Sequence, residues 1–591
     1  MKAKIECLIK SALNHYFLTG DFDYEEESLP KIHIERTRDQ KHGDYASNIA
    51  MILAKPLKKN PRHLAEELVN YIPKSADLEK IEIAGPGFIN FHLTESALQT
   101  IVTDILKADG IYGHASIGNN KTVIIEFVSA NPTGPLHVGH GRHAAYGATV
   151  ANLLEAIGYK VHREYYVNDA GRQMQILTVS IWLRYLELFG HSFPFPSNAY
   201  KGDYIMDIAK ELKVNFLEKF CRPLTDIFSN LPDDQKEDGT GGDKEIYIDA
   251  LISRAKSLLG EENYELILKD GLKAILNDIR EDLAQFGVTF QEWFSEKSLQ
   301  TNGDITRGLE RLQKTDSVYE RDGATWFQAT SYGDEKDRVV IRENGQSTYF
   351  ASDVGYHLNK YERKFDLILD LFGADHHGYA PRIKAFLKAA GEDENKVQVL
   401  LIQFAILYRG KQKVSMSTRG GTFVTLRELR EEVGNDAARF FYVMRKCDQH
   451  LDFDLELAKS KSNENPVYYI QYAFARICSV ERQLDHLNLQ LDMNMGLENR
   501  HLLTSDYEKN LLRILSQFPE IIEASAVNYE PHILVHYLQE LATYFHTYYN
   551  ACKFIVEEKE LRNARMCLIV AVKVVIGNSL KILGVSAPEI M

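Results

Sequence analysis

Apolar and polar positions along this chain change their spacing several times, and the changes mark out its parts. An apolar-periodic start, "MKAKIECLIKSALNHYFLTG", leads to the strand-like "KIHIE" and then to "YASNIAMILAKPL" and "HLAEELVNYI", both helically spaced. "IEIAGPGFINFHL" alternates, breaks at Gly85-Pro86-Gly87 and alternates again, which predicts paired strands around a turn. From Lys121 the order becomes strand, turn, helix, strand. "TVIIEFVS" reads as a buried strand, "ATVANLLEAIGY" places Val150, Leu153, Leu154 and Ile157 on one helical face, and "KVHREYYVND" reads as a second strand.

The later chain continues this scheme. A helical insertion is expected from Arg172 to Phe286, containing the Asp- and Gly-rich "LPDDQKEDGTGGDKE", expected to be mobile. "RVVIRENGQSTYF" reads as a hairpin turning at Asn344-Gly345, and "FDLILDLFGADHHG" and "VQVLLIQFAIL" resume the sheet. Beyond Thr425 the pattern is almost wholly helical, as in "NDAARFFYVMRK" and "NPVYYIQYAFARI". The expectation is a multidomain α/β protein. A small α/β unit covers 1–112, a doubly wound parallel-sheet domain covers 113–430 with its insertion at 172–286, and an all-α bundle covers 431–591.

Bulk properties narrow the class only a little. At 591 residues the chain is too long for one core. Its 45% hydrophobic and 26% charged composition is that of an ordinary globular protein. No apolar run reads as a membrane span, and the opening helix carries charges that a signal peptide would lack. The six cysteines form no C-x-x-C pair, which argues for reduced thiols in a cytoplasmic setting and against a zinc-thiolate site. The net charge of −14 argues against a polyanionic partner only weakly, because binding depends on local basic surfaces.

The informative stretch is "IIEFVSANPTGPLHVGHGRHAAYG", where His137, His140 and His143 recur at a spacing of three as a helix begins. Residues six apart lie about 240° apart around a helix, since each turns roughly 100°. A metal site built from all three is therefore poor geometry, and no H-E-x-x-H is present. His137 and His140 do share a face in the first turn after a buried strand, where α/β folds bind ligands and where helix N–H groups favour phosphate. Gly139 would let a flat base rest on the backbone.

"HVGH" resembles the HIGH signature of class I aminoacyl-tRNA synthetases, and "SANPTGPLHVGHGR" resembles its arginyl-tRNA synthetase form. HVGH alone is not specific, because nucleotidylyltransferases share it. The likeness continues in order through "YFASDVGYHLNKYE", "GADHHGY" and "SMSTRGGTFVTLREL", then "VGNDAARFFYVMR" of a DALR-type anticodon-binding domain. The first 112 residues resemble the additional tRNA-binding domain of arginyl enzymes.

The resemblance implies a Rossmann-like catalytic domain and a ligase that joins arginine to tRNA in two steps. Arginine attacks the α-phosphate of ATP, and the arginyl group then passes to the terminal adenosine of tRNA(Arg). His137 and His140 would contact phosphates, Gly139 would lie by the adenine, and Met416 and Ser417 would belong to the mobile ATP-binding loop. Mg²⁺ would come with ATP, held by phosphates and water, with no protein metal ligand. Glu126, Asn131, Tyr349, Asp353 and His376 match the arginine pocket. Other readings stay open: Glu126 could pair with a core arginine, and Asp353 could cap its helix. His377 and Asp375 could stand behind the pocket. Tyr468, Tyr469, Tyr472 and Phe474 could stack bases, but aromatics at helical spacing usually fill a bundle core. Arg439 reads as structural.

One departure from the family pattern stands out. The KMSKS loop of class I enzymes reads Ser415-Met416-Ser417-Thr418-Arg419 here, so both lysine positions are lost. Some arginyl enzymes compensate with a lysine just before the HIGH motif, where this chain has Gly134. Lys413 or Arg419 would then neutralise the leaving pyrophosphate, with Lys411 nearby. A monomer in the cytoplasm without membrane attachment is expected. The alternatives are another class I synthetase, or a non-catalytic tRNA-binding relative, which would be expected to carry a damaged HVGH.

Overall fold

The computed structural model describes residues 1–19, 30–37, 39–236, 238–414 and 424–591. Its centre is a five-stranded parallel sheet in the order Val397–Ile402, Leu367–Gly373, Thr122–Glu126, Lys160–Val167, Glu292–Ser295. The chain enters at the central strand, winds outward to one edge and then fills the other side. This is the doubly wound arrangement that a strand–helix–strand pattern predicts. The signature helix, Val138–Ala156, lies directly after the central strand. It packs closely because Gly147 sits against the ring of Phe127, where an added Cβ would come within 2.4 Å.

The insertion is helical as expected, with helices Arg172–Glu187, Asp203–Phe216 and Lys244–Gln285. Within its Asp- and Gly-rich stretch, Asp234 accepts from Ser197 N–H and Oγ–H at 2.7 and 2.6 Å. Two strand expectations need correction. The arm after Asn344-Gly345 makes only a bridge, Ile341 to Ser347, before the helix Tyr349–Glu362 begins. Arg338–Ile341 instead pairs with Ala324–Phe327 in a separate three-stranded sheet with Val318–Arg321. "VQVLLIQFAIL" is two strands in different sheets, Val397–Ile402 and Ala405–Arg409.

The N-terminal unit is a four-stranded antiparallel sheet, and its Leu78–Ala84 and Phe88–Leu93 strands pair around Gly85–Gly87 as the alternation predicted. The following helix, Glu95–Ala108, buries Val102 and Ile105 and is held to the C-terminal bundle by Lys509 on Glu95 at 2.5 Å. Nearby, the Asn578 amide donates to Asp109 O at 2.8 Å. In the bundle, Lys559–Leu583 is long and apolar enough to cross a membrane by composition, which the sequence reading passed over; 72% of its apolar window is buried inside the fold. Phe474 is core, but Tyr468, Tyr469 and Tyr472 are half-buried, with the Arg476 guanidinium 4.3 Å over the Tyr472 ring and 4.5 Å over that of Tyr549. Arg439 is structural as expected, donating from burial to the carbonyls of Leu583 and Phe286.

Candidate active site

A cavity of about 450 Å³ opens at the carboxyl end of the parallel strands. One wall is the start of the signature helix. His137 is its N-cap residue and His140 its third residue, and together they form a reciprocal cap. His137 Nδ1 accepts the Gly139 N–H at 3.1 Å, and His140 Nδ1 accepts the His137 N–H at 3.2 Å. Accepting at Nδ1 places the ring proton on Nε2 in the neutral imidazole. Burial lowers the pKa of both rings, and that of His140 well below the ordinary value. The helix end thus presents neutral N–H donors together with its own positive dipole. Gly139 is also constrained by packing, because a Cβ there would meet the His137 ring at 2.9 Å. His143 lines the same cavity, and burial pushes its pKa down to about 4.

The loop leading to this helix is strained where it meets the strand. Val128 and Ser129 hold φ of 69° and 42°, a region where a β-branched residue is an outlier and which costs on the order of 1–3 kcal/mol. The strain aims a hydroxyl: Ser129 Oγ donates to Glu126 Oε1 at 3.0 Å and accepts the Tyr166 N–H at 3.1 Å.

Beneath the cavity the sheet carries a row of acids in register: Asp370, Glu126, Glu164 and Glu292, one from each of four adjacent strands. The helix Tyr349–Glu362 and its next residue supply the counter-charges at helical spacing. Lys360 Nζ lies 2.7 Å from both Glu126 Oε2 and Asp370 Oδ1. Arg363 donates to Glu164 at 2.6 Å and to Glu292 at 2.8 Å. Burial opposes the charge on Lys360, but Asp370, Glu126 and Glu164 outweigh it and raise its pKa. Burial would likewise raise Asp370, yet Lys360 and His357 hold it below the usual carboxylate range. Removing one member of such a buried pair costs roughly 3–5 kcal/mol. His162 approaches Glu164 and Glu292 as a metal ligand would, but the Arg363 guanidinium already supplies the positive charge there.

Asp353 faces the cavity from the same helix. Thr348 caps that helix, accepting the Ala351 N–H, so Asp353 is not its cap. Burial pushes the Asp353 carboxyl up to about 6, with Glu126 adding to the shift. Nearby Glu296 is pushed up to about 7 by burial, then by Asp169 and Asp353. Glu296 is not among the residues that line the cavity. Sequence reading missed Glu296, which no motif marks; its only signal is an acid at the first position of a short helix.

Of the residues expected in the arginine pocket, Glu126, Asn131, Asp353 and His376 line this cavity together with His137, Gly139 and His140. Glu126 has an internal partner, although that partner is Lys360 and not an arginine. Tyr349 is not brought in: it is 67% exposed, with its hydroxyl beside Gly171. Lys413 is exposed on the short strand Gln412–Lys413, away from the cavity lining. Met416, Ser417 and Arg419 lie outside the described residues. The chain that follows them returns to the signature loop, where Val138 N–H donates to Val424 O at 3.2 Å and Leu426 N–H to Leu136 O at 2.8 Å. A Cβ at Gly134 would lie 2.9 Å from the Tyr204 hydroxyl, so a side chain there would require Tyr204 to shift. That hydroxyl donates to Thr133 O at 2.6 Å.

A doubly wound parallel sheet with paired histidines capping the first crossover helix, followed by a helical bundle, defines a class I aminoacyl-tRNA synthetase. Residues 101–188 and 243–449 match the "tRNA synthetases class I (R), catalytic domain" family, residues 3–93 the "Arginyl tRNA synthetase N terminal domain", and residues 470–591 the "DALR anticodon binding domain". Over its 591 residues the chain is 56% identical to the arginine–tRNA ligase of Thioalkalivibrio sulfidiphilus, with both chains fully covered. It is equally 56% identical over full length to that of Coxiella burnetii (strain RSA 331 / Henzerling II). The Thermus thermophilus arginyl-tRNA synthetase shares the fold over both whole chains at 21% identity and a TM-score of 0.73. The chain belongs to the arginyl-tRNA synthetase family, whose class uses ATP.

Proposed function

We propose that this enzyme activates L-arginine with ATP and transfers it to the terminal adenosine of tRNA(Arg), releasing AMP and pyrophosphate. The observation that carries this reading is the shared cavity. Neutral imidazole donors at a helix N-terminus stand at one end, and the acids Asp353 and Glu126 stand at the other, with Asp353 raised in pKa by burial. The first end suits the α-phosphate and its developing charge. The second suits a planar cation that donates forked hydrogen bonds. Asn131 and His376 complete the amino-acid side, and Gly139 leaves room for adenine. Tyr349 would have to turn inward to join them when arginine binds.

No covalent enzyme intermediate is needed. The carboxylate oxygen of arginine attacks the α-phosphorus, and the bond to the bridging oxygen of pyrophosphate breaks. A ribose hydroxyl then attacks the acyl carbon and AMP leaves. The protein's work is alignment and charge stabilisation. The donors at the phosphate end are imidazoles and backbone N–H groups, while Mg²⁺ prefers oxygen, so the ion is expected to ride on ATP's own oxygens. Lys413 and the undescribed Met416, Ser417 and Arg419 are assigned to the closing loop. Residues 1–112 are assigned to tRNA contact, 113–430 to chemistry and 431–591 to the anticodon arm, in a cytoplasmic monomer.

Pyrophosphate exchange with each of the twenty amino acids, with tRNA present, tests this. Exchange with arginine alone is the expected result; exchange with another amino acid, or with none, overturns it.

A further inference from the structure

Lys360 binds no ligand in the reading above, yet it touches the pocket's construction at several points. Its ammonium is fully buried, 2.7 Å from Glu126 Oε2 and from Asp370 Oδ1, and 4.2 Å from the centre of the Tyr356 ring. Glu126 is gripped from two sides, because Ser129 donates to its other oxygen at 3.0 Å. The same cluster reaches Asp353 through His357. One ring nitrogen lies 3.1 Å from Asp370 Oδ2 and the other 2.9 Å from the Asp353 carbonyl. One ammonium therefore organises both a strand-end carboxylate and the helical turn that carries Asp353.

We propose that Lys360 is a positioning residue for amino-acid recognition: it fixes Glu126 directly and the Asp353 turn through Asp370 and His357. The inference rests on the arginine pocket proposed above. The charged groups that face Lys360 are Asp370, Glu126 and Glu164 from three strands, and the cluster also includes His357 on its own helix.

The sign of the effect separates positioning from plain electrostatics. If Lys360 only placed positive charge beneath a site for a cation, removing it would strengthen arginine binding. If it holds the carboxylates in place, its loss leaves Glu126 with only the Ser129 hydroxyl and Asp370 with only His357, both freer to shift or take up a proton, and arginine binding weakens. Lys360→Met, Lys360→Arg and Asp353→Asn should be compared in the full-length enzyme with tRNA present, reading KM for arginine, KM for ATP and kcat. Lys360→Met is expected to raise KM for arginine about tenfold or more, with KM for ATP changed less than about twofold, and Lys360→Arg is expected to recover most of the loss. An arginine KM that falls or stays constant overturns the proposal, as does a parallel rise in both KM values. Should Lys360→Met fail to fold by circular dichroism, Asp370→Asn decides. It keeps the volume while removing one anchor, and an unaltered arginine KM there also overturns the idea. If Asp353→Asn leaves the arginine KM unchanged, the pocket reading itself fails and this inference falls with it. If Asp353→Asn is impaired while Lys360→Met is not, only the role of Lys360 is lost.

Discussion

The imidazoles of His137 and His140 lie face to face, 3.6 Å between ring centroids, and each uses its Nδ1 to cap the helix it helps to start. Structure and chemistry are therefore joined in one arrangement. The same hydrogen bonds that close the helix end set both ring protons on Nε2.

Replacing either histidine by alanine should give two separable losses. The missing cap costs about 1 kcal/mol of stability, visible as a lower melting temperature. The missing donor at the reacting phosphate costs on the order of 10²–10³-fold in adenylate formation. Single-turnover assays on the folded protein separate the two. A melting shift with normal turnover would leave the histidines a purely structural role.

The acid side of the pH profile should belong to Asp353. A guanidinium needs the ionised carboxylate, and this carboxyl is pushed up to about 6. Below that pH the free enzyme holds Asp353 protonated, so kcat/KM for arginine should fall toward about tenfold per pH unit. Bound arginine favours the charged form, so the limb in kcat should lie at lower pH. Asp353→Asn should abolish the limb and cost roughly 2–5 kcal/mol in kcat/KM. A limb that persists unchanged in this variant assigns the titration to another group.

The sequence disclosed the parts of this site whose chemistry is local. A Pro/Gly turn between an apolar strand and a helix, with histidines at its start, can be read within one short stretch. The partner of Glu126 cannot, because Lys360 is 234 residues away. The acid row across four strands exists only once the strand order is known. Tyr349 stands at the start of the helix that carries Asp353, but it is exposed and not among the residues lining the cavity, and side-chain orientation is beyond what spacing decides. The tyrosines of Pro466–His486 looked like core because helical periodicity cannot tell a bundle interior from a half-buried face bearing Arg476.

Deletion of residues 1–93 should leave a folded enzyme that binds tRNA more weakly. Deletion through residue 112 should behave differently, because Glu95–Ala108 buries Val102 and Ile105 and anchors on Lys509. Losing two large aliphatic side chains from a core costs several kcal/mol, at about 2–5 kcal/mol each for truncation to alanine. Thermal melts and filter binding of tRNA would compare the two. Equal melting temperatures would place that helix with the N-terminal unit alone, and unchanged tRNA affinity in the shorter deletion would remove the N-terminal role.

The leaving pyrophosphate still needs a cation, and the two lysines of the KMSKS pattern are absent from Ser415-Met416-Ser417-Thr418-Arg419. Gly134 supplies no cation at the position before the HIGH-like motif. The ends of the loop are anchored in different ways. At the entry, Lys413 lies on an exposed strand edge and Val414 N–H donates to Leu407 O at 2.9 Å. At the exit, Val424 and Leu426 are bonded to the signature loop itself, next to His137. The exit of this segment thus stands beside His137, which supports seeking the cation on it. Lys413 is favoured over Arg419, since a flexible ammonium suits a moving phosphate. Single alanine variants of Lys411, Lys413 and Arg419 and the triple variant should be measured for single-turnover adenylate formation. Loss of the operative cation should slow the step on the order of 10²-fold, with KM for arginine little changed. If the triple variant reacts within about twofold of the parent enzyme, far less than a lost transition-state contact implies, the neutralising charge comes from elsewhere, and the tRNA-bound form of the site becomes the place to seek it.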